Sequence, residues 1–167
     1  DSDQTAPTTS TVTVNFTPTP PTNPTPVRPS ISFTGFIPVT GGEMHAIAAG
    51  NAHTCAIMPD GGIECWGNND HGQLGDGTNT GSNIPVDVVN IGGGITIVAG
   101  GNHTCVLTNG EVWCWGQNSE GQLGDGTRTD RNVPVRAIRG AVDITAGLDY
   151  TCAVMLYGQV QCWGNND

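Results

Sequence analysis

The sequence predicts an all-β chain made of two full repeats and one partial repeat, preceded by an extended Thr/Pro-rich segment. Three observations carry this. First, "GQLGDGT" at 72–78 returns letter for letter at 121–127, and fixed periods of ~20–50 residues mark repeat architectures. Second, Cys55, Cys105 and Cys152 recur with Trp66, Trp115 and Trp163 at steps close to that period. Third, the apolar pattern within each copy has period two, is rich in β-branched and aromatic residues, and is bounded by Gly, Asn and Asp. No segment shows a sustained helical period with caps.

The chain divides by composition. Residues 1–30 hold seven of the eleven prolines and nine threonines, without cysteine or tryptophan. This reads as an extended stalk, O-glycosylated if the protein is secreted, with Thr8, Thr9, Thr17, Thr19, Thr22 and Thr25 as candidate sites. "NFT" at Asn15 and "NHT" at Asn102 are N-glycosylation sequons, and Asn15 is the better placed because Asn102 lies inside a repeat. Residues 11–17 alternate cleanly, with Val12, Val14 and Phe16 on one face of a candidate assembly strand. Such a strand, lacking a local partner, suits addition to an exposed sheet edge. Residues 31–42 form a second apolar extended run, and the repeats follow at about 43–92, 93–140 and 141–167.

Net charge is −10, and the five basic residues are scattered arginines. That excludes a nucleic-acid partner, which needs clustered positive charge, and an anionic membrane surface. No run is apolar and long enough to span a bilayer.

Each repeat opens with a hairpin. Asn109-Gly110 favours a type I′ turn, pairing Thr108 with Glu111 and therefore Cys105 with Cys114. "PDG" at 59–61 suits a three-residue loop that sets Cys55 opposite Cys65. "LYG" at 156–158 sets Cys152 opposite Cys162. Directly opposed residues come close enough to bridge. Three disulfides, Cys55–Cys65, Cys105–Cys114 and Cys152–Cys162, follow, and with them an extracellular or cell-surface location.

The ordered series "AAG…HTCAI…IECWG…GQLGDGT…PV" resembles the regulator of chromosome condensation repeat family in its cysteine-containing bacterial form. The resemblance covers roughly residues 43–167. It implies a β-propeller, usually of seven blades, each a four-stranded antiparallel sheet. In such a blade "GQLGDGT" is a fixed corner: Gly72, Gly75 and Gly77 allow positive φ, Asp76 caps the turn, and Leu74 plugs the core between blades. A calcium loop on Asp70 and Asp76 is the alternative, but its spacing departs from an alternating oxygen-ligand loop; no other cofactor is expected. His53 and His103, replaced by Tyr150 in the third copy, read as inter-blade hydrogen-bonding rings rather than catalysts. The three recurrent tryptophans read as core, and Trp113 as a candidate contact residue. Fewer than three blades cannot close a ring, so either the protein continues past Asp167 or several chains assemble; continuation is favoured.

No catalytic constellation emerges, so the chain is read as a non-enzyme. The functional expectation is a secreted structural subunit of a glycosylated fibre or surface structure, built by N-terminal strand addition with other copies of itself as partners. The alternative is an extracellular binding module. One relative in this family is a secreted bacterial inhibitor of β-lactamase. Guanine-nucleotide exchange, the role of the nuclear founder of the family, ranks third.

Overall fold

The computed structural model describes residues 46–165, all within one compact unit, Val39–Asp167. The stalk, residues 31–42, Asn15, the candidate threonines and the strand with Val12, Val14 and Phe16 lie outside the described residues. The described residues form eleven strands in three antiparallel sheets. Blade 1 holds β1 (Ala46–Ala49), β2 (His53–Ile57), β3 (Ile63–Gly67) and β4 (Ser82–Asp87). Blade 2 holds β5 (Thr96–Ala99), β6 (His103–Thr108), β7 (Glu111–Gly116) and β8 (Arg131–Arg139). Blade 3 holds β9 (Ala141–Ala146), β10 (Tyr150–Met155) and β11 (Val160–Gly164). Each sheet runs in sequence order from its first strand outward, and β1 packs on β5 and β5 on β9.

The local chemistry sets the hairpins. Asn109 and Gly110 both have positive φ, 49° and 74°, as a type I′ turn demands, and Thr108 faces Glu111. Gly61 and Gly158 take the left-handed place in the two longer turns. In consequence Cys55 lies opposite Cys65, Cys105 opposite Cys114 and Cys152 opposite Cys162. All three pairs are disulfide-bonded, with Cα–Cα separations of 4.1, 4.1 and 4.0 Å. Formation of three such bonds requires an oxidising environment. Each closes a loop of only 9 or 10 residues, so removing one as a Cys105→Ala/Cys114→Ala pair should cost about 2–3 kcal/mol by the chain-entropy model. Urea unfolding of the oxidised wild type against that double variant checks it.

The outer strands β4 and β8 carry Pro85 and Pro134. Both sit where the pairing with the neighbouring strand is irregular, so the missing N–H is not needed by the ladder. A proline in the outermost strand also blunts the sheet edge.

The core lies between the blades, not within one. Cys55, Ile57, Ile63 and Leu74 of blade 1 pack on Ile97, Val106 and Trp115 of blade 2. Leu107, Val112 and Leu123 of blade 2 pack on Ala141, Ile144, Ala153 and Met155 of blade 3.

Candidate functional site

The surface that distinguishes this chain is the face of a blade, and the two completed joints show how such a face works. At the first joint the His53 ring meets the Thr104 hydroxyl, with Nε2 2.8 Å from Oγ1. That hydroxyl donates to the Gln73 carbonyl at 3.2 Å, so it accepts from His53, which therefore carries its proton on Nε2. The Trp115 indole N–H donates to the same carbonyl at 2.9 Å. The second joint repeats the circuit: His103 Nε2 to Thr151 Oγ1 at 2.9 Å, Thr151 to the Gln122 carbonyl at 2.9 Å, and Trp163 to that carbonyl at 2.9 Å. Both lone pairs of each glutamine carbonyl are used. This is what the copied loop provides. It carries one backbone acceptor and one leucine, fully buried as Leu74 and Leu123, into the next blade.

Burial pushes His53 down to about 4 from the ordinary 6.5. It does the same to His103, with a small further push from His53. Both rings are neutral, and their Nδ1 atoms are buried without a partner. A neutral ring acceptor tolerates this far better than a charge would. Their role is positional, as their sequence context implies.

The loop is held by a residue whose role the repeat pattern alone did not expose. Asn69 is fully buried; its carbonyl accepts the Leu74 N–H at 2.9 Å, and its amide serves Asp76, Thr78 and Thr80. Asn118 does the same in blade 2 for Leu123, Asp125, Thr127 and Thr129. Asp76 caps its turn by accepting the Thr78 N–H at 2.9 Å. Asp70 accepts the Asn68 amide, so both carboxylates of the calcium alternative are engaged by protein donors. Among the described residues no group of three acids, histidines or cysteines converges. Burial pushes the Asp125 carboxyl up, but Thr127, Arg131 and Asn118 outweigh it and hold the group below its usual value. A depression of about 300 Å³ between Met58, Asp60, Glu64 and Asp87 is acidic and open.

The two copies of the loop differ at one bond. In blade 1 the Gln73 amide donates to Asn68 at 2.6 Å. Blade 2 has Gln117 at that place, turned to accept from Asn102 at 3.1 Å, and the Gln122 amide nitrogen is buried without a partner. Gln117→Asn should restore the acceptor and stabilise the chain by about 1 kcal/mol, measured as a rise in the urea midpoint.

Two expectations need correction. Trp115 is fully buried, but Trp66 and Trp163 are only half-buried. The reason is the neighbour each tryptophan requires. Trp115 is enclosed by blades on both sides, whereas blade 1 has no preceding blade and blade 3 no following one among the described residues. No acceptor among these residues meets the Trp66 indole. Trp115→Phe should therefore cost about 2 kcal/mol and Trp66→Phe well under 1, a difference that thermal melts resolve. Trp113 packs against the first joint, with Arg136 over its ring at 5.8 Å, and is not an exposed aromatic. Asn102 of the second sequon is half-buried, and the hydroxyl of that sequon, Thr104, lies inside the joint.

Geometry of this kind, antiparallel blades joined face to face around successive first strands, defines a β-propeller repeat protein, the architecture of a protein-interaction module. The chain belongs to the regulator of chromosome condensation (RCC1) repeat family, whose model matches residues 60–107 and 109–154, more than half of the chain. A second model of the same repeat matches 44–73 and 95–122. The 60–107 match straddles blades 1 and 2, so the family repeat is offset from the blade. Similar solved structures include human WBSCR16, at 25% identity and a TM-score of 0.66 over 77% of this chain and 36% of that one. Yeast RCC1 (Prp20), solved bound to Kap60, matches at 23% identity and 0.63 over 78% and 31%. The ectodomain of the Physcomitrella patens receptor kinase CR4 matches at 22% and 0.51 over 75% and 31%. The chain spans about a third of the length of each.

Proposed function

We propose that this chain is a non-enzymatic assembly module of an extracellular or cell-surface structure, its blades bound to further protein through their open faces. One observation carries the reading: the internal joints are closed by a repeated circuit, while the same positions at both ends of the described unit are open. Ile47 is 57% exposed where its equivalents Ile97 and Ile144 are 5% and 6%. Val154 and Val160 are 36% and 64% exposed where Leu107 and Val112 are buried. Apolar surface of this kind is where a further blade, of this chain or of another, packs. The disulfides support an oxidising location, and in that setting glycans on Asn15 and the stalk threonines would clothe the N-terminal segment. Mass spectrometry before and after deglycosylation tests the glycans. Electron microscopy of native material tests the assembly: regular filaments or sheets support it, and discrete single particles at high concentration sink it.

A second reading, recognition of a different protein, is favoured by the β10–β11 turn, where Leu156 and Tyr157 are 65% and 89% exposed. Aromatic anchors dominate binding surfaces, so a partner captured by wild type and lost with Tyr157→Ala would establish it. Nucleotide exchange is the weaker reading for a lysine-free, disulfide-bonded acidic chain.

A further inference from the structure

The end of the blades that carries the hairpin turns also carries the start of each first strand. Ile95 donates its N–H to the Leu107 carbonyl at 2.8 Å, just before the Asn109-Gly110 turn. Leu156, in the third turn, donates its N–H to the Gly140 carbonyl at 2.8 Å, just before β9. At this end Leu156 and Tyr157 are exposed where the other blades place the turn formers Pro59-Asp60 and Asn109-Gly110. Neither side chain serves the turn. Val142 joins them. The β9–β10 ladder slips there, with Asp143 opposite Val154 and Ala141 opposite Met155, so Val142 is the bulged residue and is 50% exposed. A bulge re-aims a side chain in this way. Its equivalent ahead of β5, Ile95, is 62% exposed.

These exposures are not those of an open blade face. Blade 2 has a neighbour on either side, yet Asn109 at its turn and Ile95 at its first strand are both exposed. The third turn is also held firmly. Met155 donates to the Gln159 carbonyl at 2.7 Å and Gly158 to the Met155 carbonyl at 2.8 Å, with Gly158 at a φ of 84°. Leu156 and Tyr157 are therefore displayed with little backbone left to order on binding. A tyrosine adds large contact area at low rotamer cost.

Charge selects the occupant. Asp60, Glu64 and Asp87 line the depression beside the first turn, and Asp143 follows Val142. None of these carboxylates has an ion-pair partner among the described residues. Arg136 and Arg139 are both taken up by Glu111. A second copy on this end would set carboxylate against carboxylate, whereas a basic surface would meet complementary charge. We propose that Leu156, Tyr157 and Val142, with Ile95 on the adjoining first strand, form a docking surface for a different protein, one that is apolar at the centre of its contact and basic at the rim. This rests on the second reading above, recognition of a different protein, and names the face and the chemistry of the partner.

The probe is a labelled synthetic helical peptide of leucine and lysine, with its leucines on one face, titrated into the full chain and followed by fluorescence anisotropy. It should bind saturably, and the same peptide with glutamate for lysine should not. Tyr157→Ser or Leu156→Ser should weaken binding at least about tenfold, as loss of a central anchor does. The thermal melt should not move, because both side chains lie outside the joints. Asp60→Asn with Asp143→Asn should flatten the salt dependence of binding. A Leu/Lys peptide that fails to bind wild type, or binds the Tyr157→Ser chain equally well, overturns the proposal. So does binding to phosphatidylcholine vesicles that is lost with Tyr157→Ser in place of peptide binding, which would make the occupant a lipid surface. Self-association in sedimentation that is lost with Tyr157→Ser would make it a second copy and overturn the proposal as well. A native partner protein that still binds the Leu156→Ser/Tyr157→Ser chain would remove this face while leaving recognition of a different protein standing.

Discussion

Alanine at Gly100 should cost more than about 4 kcal/mol and leave the second joint unformed. A Cβ at this position would overlap the His103 ring and sit 2.5 Å from the Gly147 carbonyl oxygen. The ring cannot yield, because its Nε2 is committed to Thr151. The carbonyl cannot yield either, because it belongs to the next blade. Gly50 and Gly147 stand in the same relation to His53 and Tyr150, so the Ala-Gly before each hairpin is a seat for the ring that follows. Gly126→Ala is the control. It too has positive φ, 77°, but meets nothing within 4 Å, so its cost should stay near 1 kcal/mol. Urea unfolding of the two variants side by side decides it; equal costs would refute the seat.

Acid should weaken the joints before it touches most carboxylates. The unfolded imidazoles take up protons below about 6.5, while folded His53 and His103 resist until about 4. The contribution of each ring to stability is therefore whole above that first value. It falls away as pH drops through the window, and each ring loses up to about 3 kcal/mol. Asp125, held below its usual value, adds a loss at still lower pH. Urea midpoints at pH 7, 5.5 and 4 measure the slope, and His53→Gln should remove about half of it. A midpoint unchanged between pH 7 and 4.5 would contradict neutral burial of these rings.

Much of the joint was legible because it repeats. His53 and His103 occur at one place before Thr-Cys, and Leu74 and Leu123 at one place in a copied loop, and each performs one task twice. Trp66 shows the limit. Its sequence context matches that of Trp115, yet its burial depends on a blade that precedes its own. The Asn69 and Asn118 amides were equally hidden. A polar residue in a Gly/Asn-rich loop looks solvated until the loop folds around it, and only a recurrence read together with the full burial of Leu74 could have marked it. Gln117 illustrates a different gap: exchange of Asn for Gln at one loop position looks neutral in sequence, but it strands the Gln122 amide.

What the sequence by itself determined was the hairpin. Turn residues such as Asn109-Gly110 act over two positions, and the register they impose brings Cys105 to Cys114 without help from elsewhere. It also determined the repeat, through the motifs that recur from blade to blade. Only the tertiary structure decided how one blade holds the next. The Gln73 carbonyl meets Thr104 and Trp115 across 31 and 42 residues of chain. Contacts over that distance depend on how two sheets stack, which no local pattern encodes. The same physics makes the end faces differ from the middle ones despite nearly identical residues: burial belongs to the pair of blades, not to either blade alone.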